Sequence, residues 1–188
     1  MDELANQKAH LRSQLREARK SREPDASYST RLSQALGQLC IDQKVETVAA
    51  YFPIEGEPDI REFLEWALKN GLRVMLPSVR GQDLHWVFFD GNTEFGELGF
   101  EEAAGKPAKL GDAGLIFVPA MAVDLRGNRL GKGKGYYDRS LAQVFAAGKR
   151  RAKVVAVVFD DEVLIQVPRE EHDHPVDGAV TAGKLLWF

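Results

Sequence analysis

The chain has 188 residues, 44% of them apolar, which suits one domain with a substantial core. Its net charge of −3 excludes a broadly basic nucleic-acid surface, so any anion-binding function has to be local. A single cysteine, Cys40, excludes an internal disulfide and a cysteine zinc cluster, and it suits a reducing compartment.

No apolar run reaches membrane-spanning length, and the acidic start does not read as a signal peptide. The expectation is a cytoplasmic protein with no membrane partner. No Pro/Gly/Ser linker divides the chain, so residues 1–188 are expected to form a single domain.

Residues 3–22 predict a helix with a narrow apolar stripe of Leu4, Leu11, Leu15 and Ala18. At 100° per residue, Lys8, Arg12, Arg16 and Arg19 fall within roughly an 80° arc beside that stripe. Such a basic face is ordinarily solvated. Pro24 breaks the pattern, and Asp25 is a fair N-cap for a second helix to about Leu39. Cys40, in the apolar stretch at its end, reads as a buried structural thiol.

A strand is predicted over Thr47–Phe52, followed by the loop 53–58 and a helix over Asp59–Asn70 ended by Gly71. Leu72–Leu76 is the next strand, stopped by Pro77, and Leu84–Phe89 is another. Residues 96–114, rich in Gly, Ala and Glu, read as a long surface loop. Leu115–Val118 and Val154–Phe159 are apolar enough for buried central strands. This β-α-β order predicts an α/β fold: a central, largely parallel sheet with helices on both faces, a Rossmann-like three-layer arrangement.

Ligands in such sheets sit beyond the carboxyl ends of strands. Two loops qualify, 53–58 and 119–135, which makes Glu57 a candidate on position alone; the plain alternative is a solvent-exposed carboxylate. The second loop carries the stronger signal. Within VPAMAVDLRGNRLGKGKGYYDR (118–139), Gly127, Gly131, Gly133 and Gly135 stand among Arg126, Arg129, Lys132, Lys134 and Arg139. A helix pattern over 136–147 follows. Glycine lets a backbone approach a ligand closely, and a helix N-terminus favours an anion. Strand, cationic glycine loop and helix together point to polyphosphate. The stretch is neither a Walker A loop nor a dinucleotide fingerprint. A merely solvated loop is the competing reading, and the tandem Tyr136-Tyr137 at its end argues against it.

The tail VPREEHDHPVDGAVT (167–181 with Val167 leading) carries His172, Asp173 and His174. The H-D-H spacing suggests a metal, but no third ligand at useful spacing accompanies it.

The spelling RLGKGKGYYDR at 129–139 resembles the signature of the 5-formyltetrahydrofolate cyclo-ligases, or methenyltetrahydrofolate synthetases. KAHLR at 8–12, YFPIEGEPD at 51–59 and the 168–181 tail resemble that family's other blocks, in the family's order. The resemblance implies conversion of 5-formyltetrahydrofolate and ATP to 5,10-methenyltetrahydrofolate, ADP and phosphate. It implies ATP contacts from Lys8, Ala9, His10, Leu11 and Arg12, and from Arg129 through Tyr137 (Arg129, Leu130, Gly131, Lys132, Gly133, Lys134, Gly135, Tyr136, Tyr137). It assigns Phe52 and Glu57, with Lys132 to Tyr136, to the folate, and Asp138 and Asp173 to Mg²⁺. Arg129, Lys132, Lys134 and Tyr136 are the expected catalytic groups, Arg16 and Arg19 are left as solvated or phosphate-steering, and His172 and His174 become bystanders or supports behind the Mg²⁺ ligands. Glu57, on a different loop from the phosphate cradle, is expected to affect folate binding and leave ATP binding almost unchanged. No nucleic acid and no obligate protein partner are implied.

The sequence departs from the family pattern at Lys132, where arginine is common; at Asp160-Asp161, where a glutamine is more usual; and over 101–107, a weak match. Two alternatives stand beside this reading. A phosphosugar isomerase or CoA-transferase relative could draft Glu57 but leaves the cationic loop unexplained. A non-catalytic nucleotide-binding module is disfavoured by the net charge as a nucleic-acid binder.

Overall fold

The structure, a computed structural model, describes residues 2–23, 25–97, 99–146, 152–171 and 173–188; Pro24, His172 and the end of the 136–147 helix pattern lie outside them. In chain order the elements are α1 (Asp2–Lys20), α2 (Tyr28–Asp42), β1 (Thr47–Ala49), α3 (Arg61–Lys69), β2 (Arg73–Arg80) and β3 (Asp83–Phe89). Short strands β4 (Thr93–Phe95), β5 (Glu101–Ala103) and β6 (Pro107–Ala108) follow. Then come β7 (Leu115–Pro119), β8 (Ala122–Asp124), β9 (Arg129–Leu130), α4 (Tyr136–Ala146), β10 (Lys153–Val157), β11 (Val163–Leu164), β12 (Gly178–Val180) and β13 (Leu185–Trp187).

The main sheet has eight strands in the order β13-β12-β10-β7-β1-β2-β3-β6. Its five inner strands, β12 through β2, are parallel, and both margins are antiparallel. Successive side chains on a strand point to opposite faces. Val48, Ala50, Leu115, Phe117, Val155 and Val157 accordingly meet α2 and α3 on one face. Ala49, Ile116, Val118, Val154 and Ala156 meet α4 on the other. That gives the expected three layers, and it explains why β7 and β10 are apolar along nearly their whole length.

The first helix does not join those layers. Leu11 and Leu15 pack with Met121, Ala122, Leu130 and Val167 over a separate three-stranded sheet, β11-β8-β9. Ala18, expected in the apolar stripe, is exposed.

Asp25 does not cap α2. Ser27 occupies the N-cap position, and Asp25 instead accepts the Ser27 N–H and pairs with Arg31. Gly71 does end α3: its N–H meets the Leu68 carbonyl, and the Leu72 N–H meets that of Ala67, a Schellman closure. Cys40 is buried among α2's core residues, and that burial pushes its thiol up to about 12.

Two strand expectations need correction. Pro77 does not stop β2, which runs on to Arg80 with Pro77 opposite Trp86 in a hairpin with β3. The β1 partner covers only Arg73–Met75, so at Pro77 one side of the strand has no ladder in which an N–H would be missed. Residues 96–114 are not one long loop, because β5, β6 and a 3₁₀ turn at Leu110–Asp112 punctuate them. Their sequence hides this: the strands are only two or three residues long, too short for period-2 patterning to show.

Asp124 ties the small sheet together. Buried to 1% exposure, its carboxylate accepts the N–H groups of Arg126, Asn128 and Val167 and the Asn128 side-chain amide. Burial alone would push its pKa up; the Asn128 amide and the three backbone N–H groups more than reverse this, leaving it below the usual carboxylate value. A group depressed on folding contributes stability that is present above its unfolded pKa, about 3.9, and is lost as pH falls through its folded value. Asp124→Asn, which turns an amide toward these donors, is expected to cost about 1.5–3 kcal/mol near neutral pH. The gap from wild type should narrow below about pH 4. Urea unfolding at a series of pH values checks both; a pH-independent gap would reject the assignment.

Candidate active site

A cavity of about 550 Å³ opens at the carboxyl ends of β1 and β7. Its wall combines Phe52, Ile54 and Glu57 from the loop after β1, the whole loop from Arg129 to Tyr137, Asp138 at the start of α4, and Lys8 and Arg12 from α1. Glu170 and Asp173 of the tail close the side nearest α1. The size is that of an ordinary small-molecule site.

The glycine loop owes its path to residues that tolerate a left-handed backbone. Gly133 and Gly135 have φ of +100° and +69°, which a residue with a Cβ adopts only at a cost. Arg12 fastens the loop from outside, donating its Nε–H to the Gly131 carbonyl at 2.8 Å. Arg129 is almost fully buried, and its guanidinium meets the Asp138 carboxylate at 2.7 Å and the Pro119 carbonyl at 3.4 Å. Tyr137 packs against both core clusters of the main sheet, and burial pushes its phenol pKa up, with the nearby Glu57 charge adding to the rise. Tyr136 reaches the Gly81 carbonyl at the β2–β3 turn.

Glu57 and the cationic loop, expected to act apart, are joined. The Lys132 ammonium lies 2.8 Å from Glu57 Oε1, while Oε2 accepts the Ile54 N–H at 3.0 Å. A charge change at Glu57 therefore reaches the glycine loop directly, so the two loops are not separate as expected. Phe52 packs edge-on against Phe89 at 6.4 Å and carries the Arg61 guanidinium 5.2 Å over its ring.

On the opposite wall Lys8 is buried between two carboxylates, 2.6 Å from Glu170 and 2.5 Å from Asp173. Asp173 also accepts the Glu170 N–H at 2.7 Å. Of the block 8–12, only Lys8 and Arg12 line the cavity. Ala9 and His10 are exposed and Leu11 faces the small-sheet cluster, as a helix must turn intervening residues away. Arg19 is no solvated cation. It holds the buried Glu162 through contacts of 2.7 and 2.8 Å and also donates to the Ala120 carbonyl.

Asp138 and Asp173 both line the cavity, each with a cationic partner. Among the described residues no group of three or more His, Cys, Asp or Glu side chains could hold a metal ion by itself. Sequence reasoning did not find Glu170, Phe100 or Glu102 on the wall. Glu170 stands in the acidic run beside Asp173 and could have been suspected; Phe100 and Glu102 lie in the stretch read as loop.

The architecture is that of an α/β enzyme in which a cationic glycine loop and a buried carboxylate face one cavity. A family model for the 5-formyltetrahydrofolate cyclo-ligase family matches residues 4–182. The chain belongs to that family. It is 41% identical over 137 residues to the 5-formyltetrahydrofolate cyclo-ligase of Mycolicibacterium smegmatis, covering 68% of this chain and 69% of that one. It is 27% identical to the Escherichia coli K12 enzyme of the same name over 74% of this chain and 79% of that one. The solved 5,10-methenyltetrahydrofolate synthetase of Aquifex aeolicus superposes with a TM-score of 0.82 at 31% identity, over 96% of this chain and 92% of that one. The synthetase from Mycoplasma pneumoniae shares the fold, with a TM-score of 0.74 at 20% identity over 93% and 98% of the two chains. Among the described residues no helix is long and apolar enough to cross a membrane.

Proposed function

We propose that this enzyme converts 5-formyltetrahydrofolate to 5,10-methenyltetrahydrofolate in an ATP- and Mg²⁺-dependent reaction that releases ADP and phosphate. The observation that carries the reading is one cavity with two chemically distinct ends: a cationic glycine loop for phosphates, and a buried carboxylate suited to a pyrimidine's N–H groups. Membership of the cyclo-ligase family supports it.

The chemical obstacle is the formyl oxygen, a poor leaving group. Phosphorylation by ATP converts it to phosphate; N10 attacks the formyl carbon and loses its proton, and the C–O bond breaks as the ring closes. The protein supplies position and charge rather than a nucleophile. Glu57 receives the aminopyrimidine edge and Phe52 borders it. The amides of Gly131–Gly135, with Lys132 and Lys134, receive the phosphates. Arg129 shapes the loop from beneath, holding Asp138. Tyr136 and Tyr137 wall the junction between the two substrates and keep water from the transferring phosphoryl group. Lys8 and Arg12 complete the nucleotide side.

The donor set fits Mg²⁺ in one respect: Asp138 and Asp173 are hard oxygen donors, and two carboxylates suffice where nucleotide phosphates and water complete the coordination. Mg²⁺ held by them would supply charge neutralisation at the phosphates. Asp138→Ala and Asp173→Ala are each expected to raise the Mg²⁺ concentration for half-maximal turnover, with partial rescue by excess Mg²⁺. Wild-type titration curves in both variants would remove the metal assignment.

The test of the function is direct. Protein, 5-formyltetrahydrofolate, ATP and Mg²⁺ should give the long-wavelength absorbance of the conjugated methenyl product, with phosphate released one for one. Rapid ATP hydrolysis without folate would contradict the coupling.

A further inference from the structure

Glu57 and Lys132 reach each other across the cavity with unequal freedom. The Glu57 side chain is 6% exposed and fixed by the Ile54 N–H; that of Lys132 is 37% exposed, on a loop rich in glycine. A carboxylate this buried needs a counter-charge or a set of donors at all times. In the protein without substrate, Lys132 provides it. While it does so, the ammonium is turned toward the folate end, and its charge is largely spent before any phosphate arrives.

We infer that the Glu57–Lys132 ion pair is a holding contact, released when folate binds, that makes Glu57 a positioning residue for Lys132 and couples the folate end of the cavity to the phosphate end. The inference rests on the reading that Glu57 receives the aminopyrimidine edge of the folate. That edge presents two N–H donors side by side in one plane, a match for both oxygens of a carboxylate. Oε1, which Lys132 now occupies, becomes one of the two seats the substrate takes. The Ile54 N–H and the pyrimidine donors together solvate the buried charge. The ammonium can then leave on its flexible four-carbon stem toward the phosphates bound by its own loop. Only hydrogen-bond partners are exchanged; no bond or proton changes hands. Linkage makes the effect mutual: phosphates that draw Lys132 away leave Glu57 open to the pyrimidine. ATP bound alone meets a loop short of one charge, which is a physical reason for little hydrolysis before folate is in place.

The test uses calorimetric titration of the full-length protein with a non-hydrolysable ATP analogue and Mg²⁺, with and without saturating 5-formyltetrahydrofolate. In the wild type, folate is expected to tighten analogue binding about five- to tenfold. Glu57→Gln, which loosens the hold, should bind the analogue without folate about as tightly as wild type binds it with folate, and should gain nothing further. Lys132→Gln, whose side-chain amide can still donate to Glu57, should show no gain in analogue binding when folate is added. A general structural defect at either residue would weaken binding in both conditions and would not produce this pattern. The inference fails if folate leaves wild-type analogue binding unchanged, if Lys132→Gln keeps the gain, or if Glu57→Gln binds the analogue no tighter than wild type. Methenyl product without coupling overturns this inference alone; absence of methenyl product from the wild type overturns it together with the proposed function.

Discussion

Arg19→Met is expected to lower folding stability by about 3–5 kcal/mol, the range for removing one partner of a buried ion pair. The Arg19 and Glu162 side chains are 6% and 1% exposed, so neither charge has water to fall back on. Methionine fills much of the space but leaves the Glu162 carboxylate with the Phe159 N–H at 3.0 Å and the Arg22 guanidinium at 3.8 Å. Arg22 is itself committed, lying 4.0 Å over the Phe159 ring and bonding Asp161. A drop in the urea midpoint at constant m-value measures the cost. A loss below about 1 kcal/mol would show that Arg22 replaces Arg19, making the pair no stronger than a surface one.

Lys134→Met is expected to reduce kcat about 10²–10³-fold, the scale for losing one preorganised group that stabilises transition-state charge. Of the other cations near the loop, Arg129 holds Asp138, Lys132 holds Glu57, Arg139 lies 3.6 Å from Asp83, and Arg126 is not on the cavity wall. Lys134 is exposed on the cavity wall, and among the described residues no ion pair engages it. Its charge is therefore available to a phosphate without displacing anything. Lys134→Arg should recover much of the rate, and near-ultraviolet circular dichroism should be unchanged in both variants. A methionine variant within about fivefold of wild type would assign the phosphoryl charge to other groups.

The parallel core was legible because β7 and β10 are buried on both faces, and that compels continuous apolar runs. The glycine loop was legible because close backbone approach and left-handed φ leave a compositional mark. The ion pairs were not. Lys8, Arg12 and Arg19 sit on one helical arc and look alike in sequence, yet Lys8 is buried between two carboxylates, Arg12 bonds a backbone carbonyl, and Arg19 neutralises Glu162. Their partners lie up to 165 residues away, and no periodicity carries that information. The Glu57–Lys132 contact was hidden similarly: strand order placed both loops at one end of the sheet but left their separation open. Pro77 misled because proline ends a strand only where its missing N–H has a partner to lose.

The attachment of α1 has a consequence for how the protein is made. Lys8 meets Glu170 and Asp173, and Arg19 meets Glu162, across 143 to 165 residues of chain. The helix is synthesised well before its anchors, which follow it by 143 to 165 residues. Through most of synthesis its leucines lack the completed small-sheet cluster, since Val167 is among the residues that form it. Contacts this distant in sequence close late, after the loop entropy of the intervening chain has been met. The part of the cavity wall that Lys8 and Arg12 form is therefore expected to assemble late in folding. A nascent chain that has reached only residue 158 carries the glycine loop but none of the carboxylates that hold Lys8 and Arg19 in place.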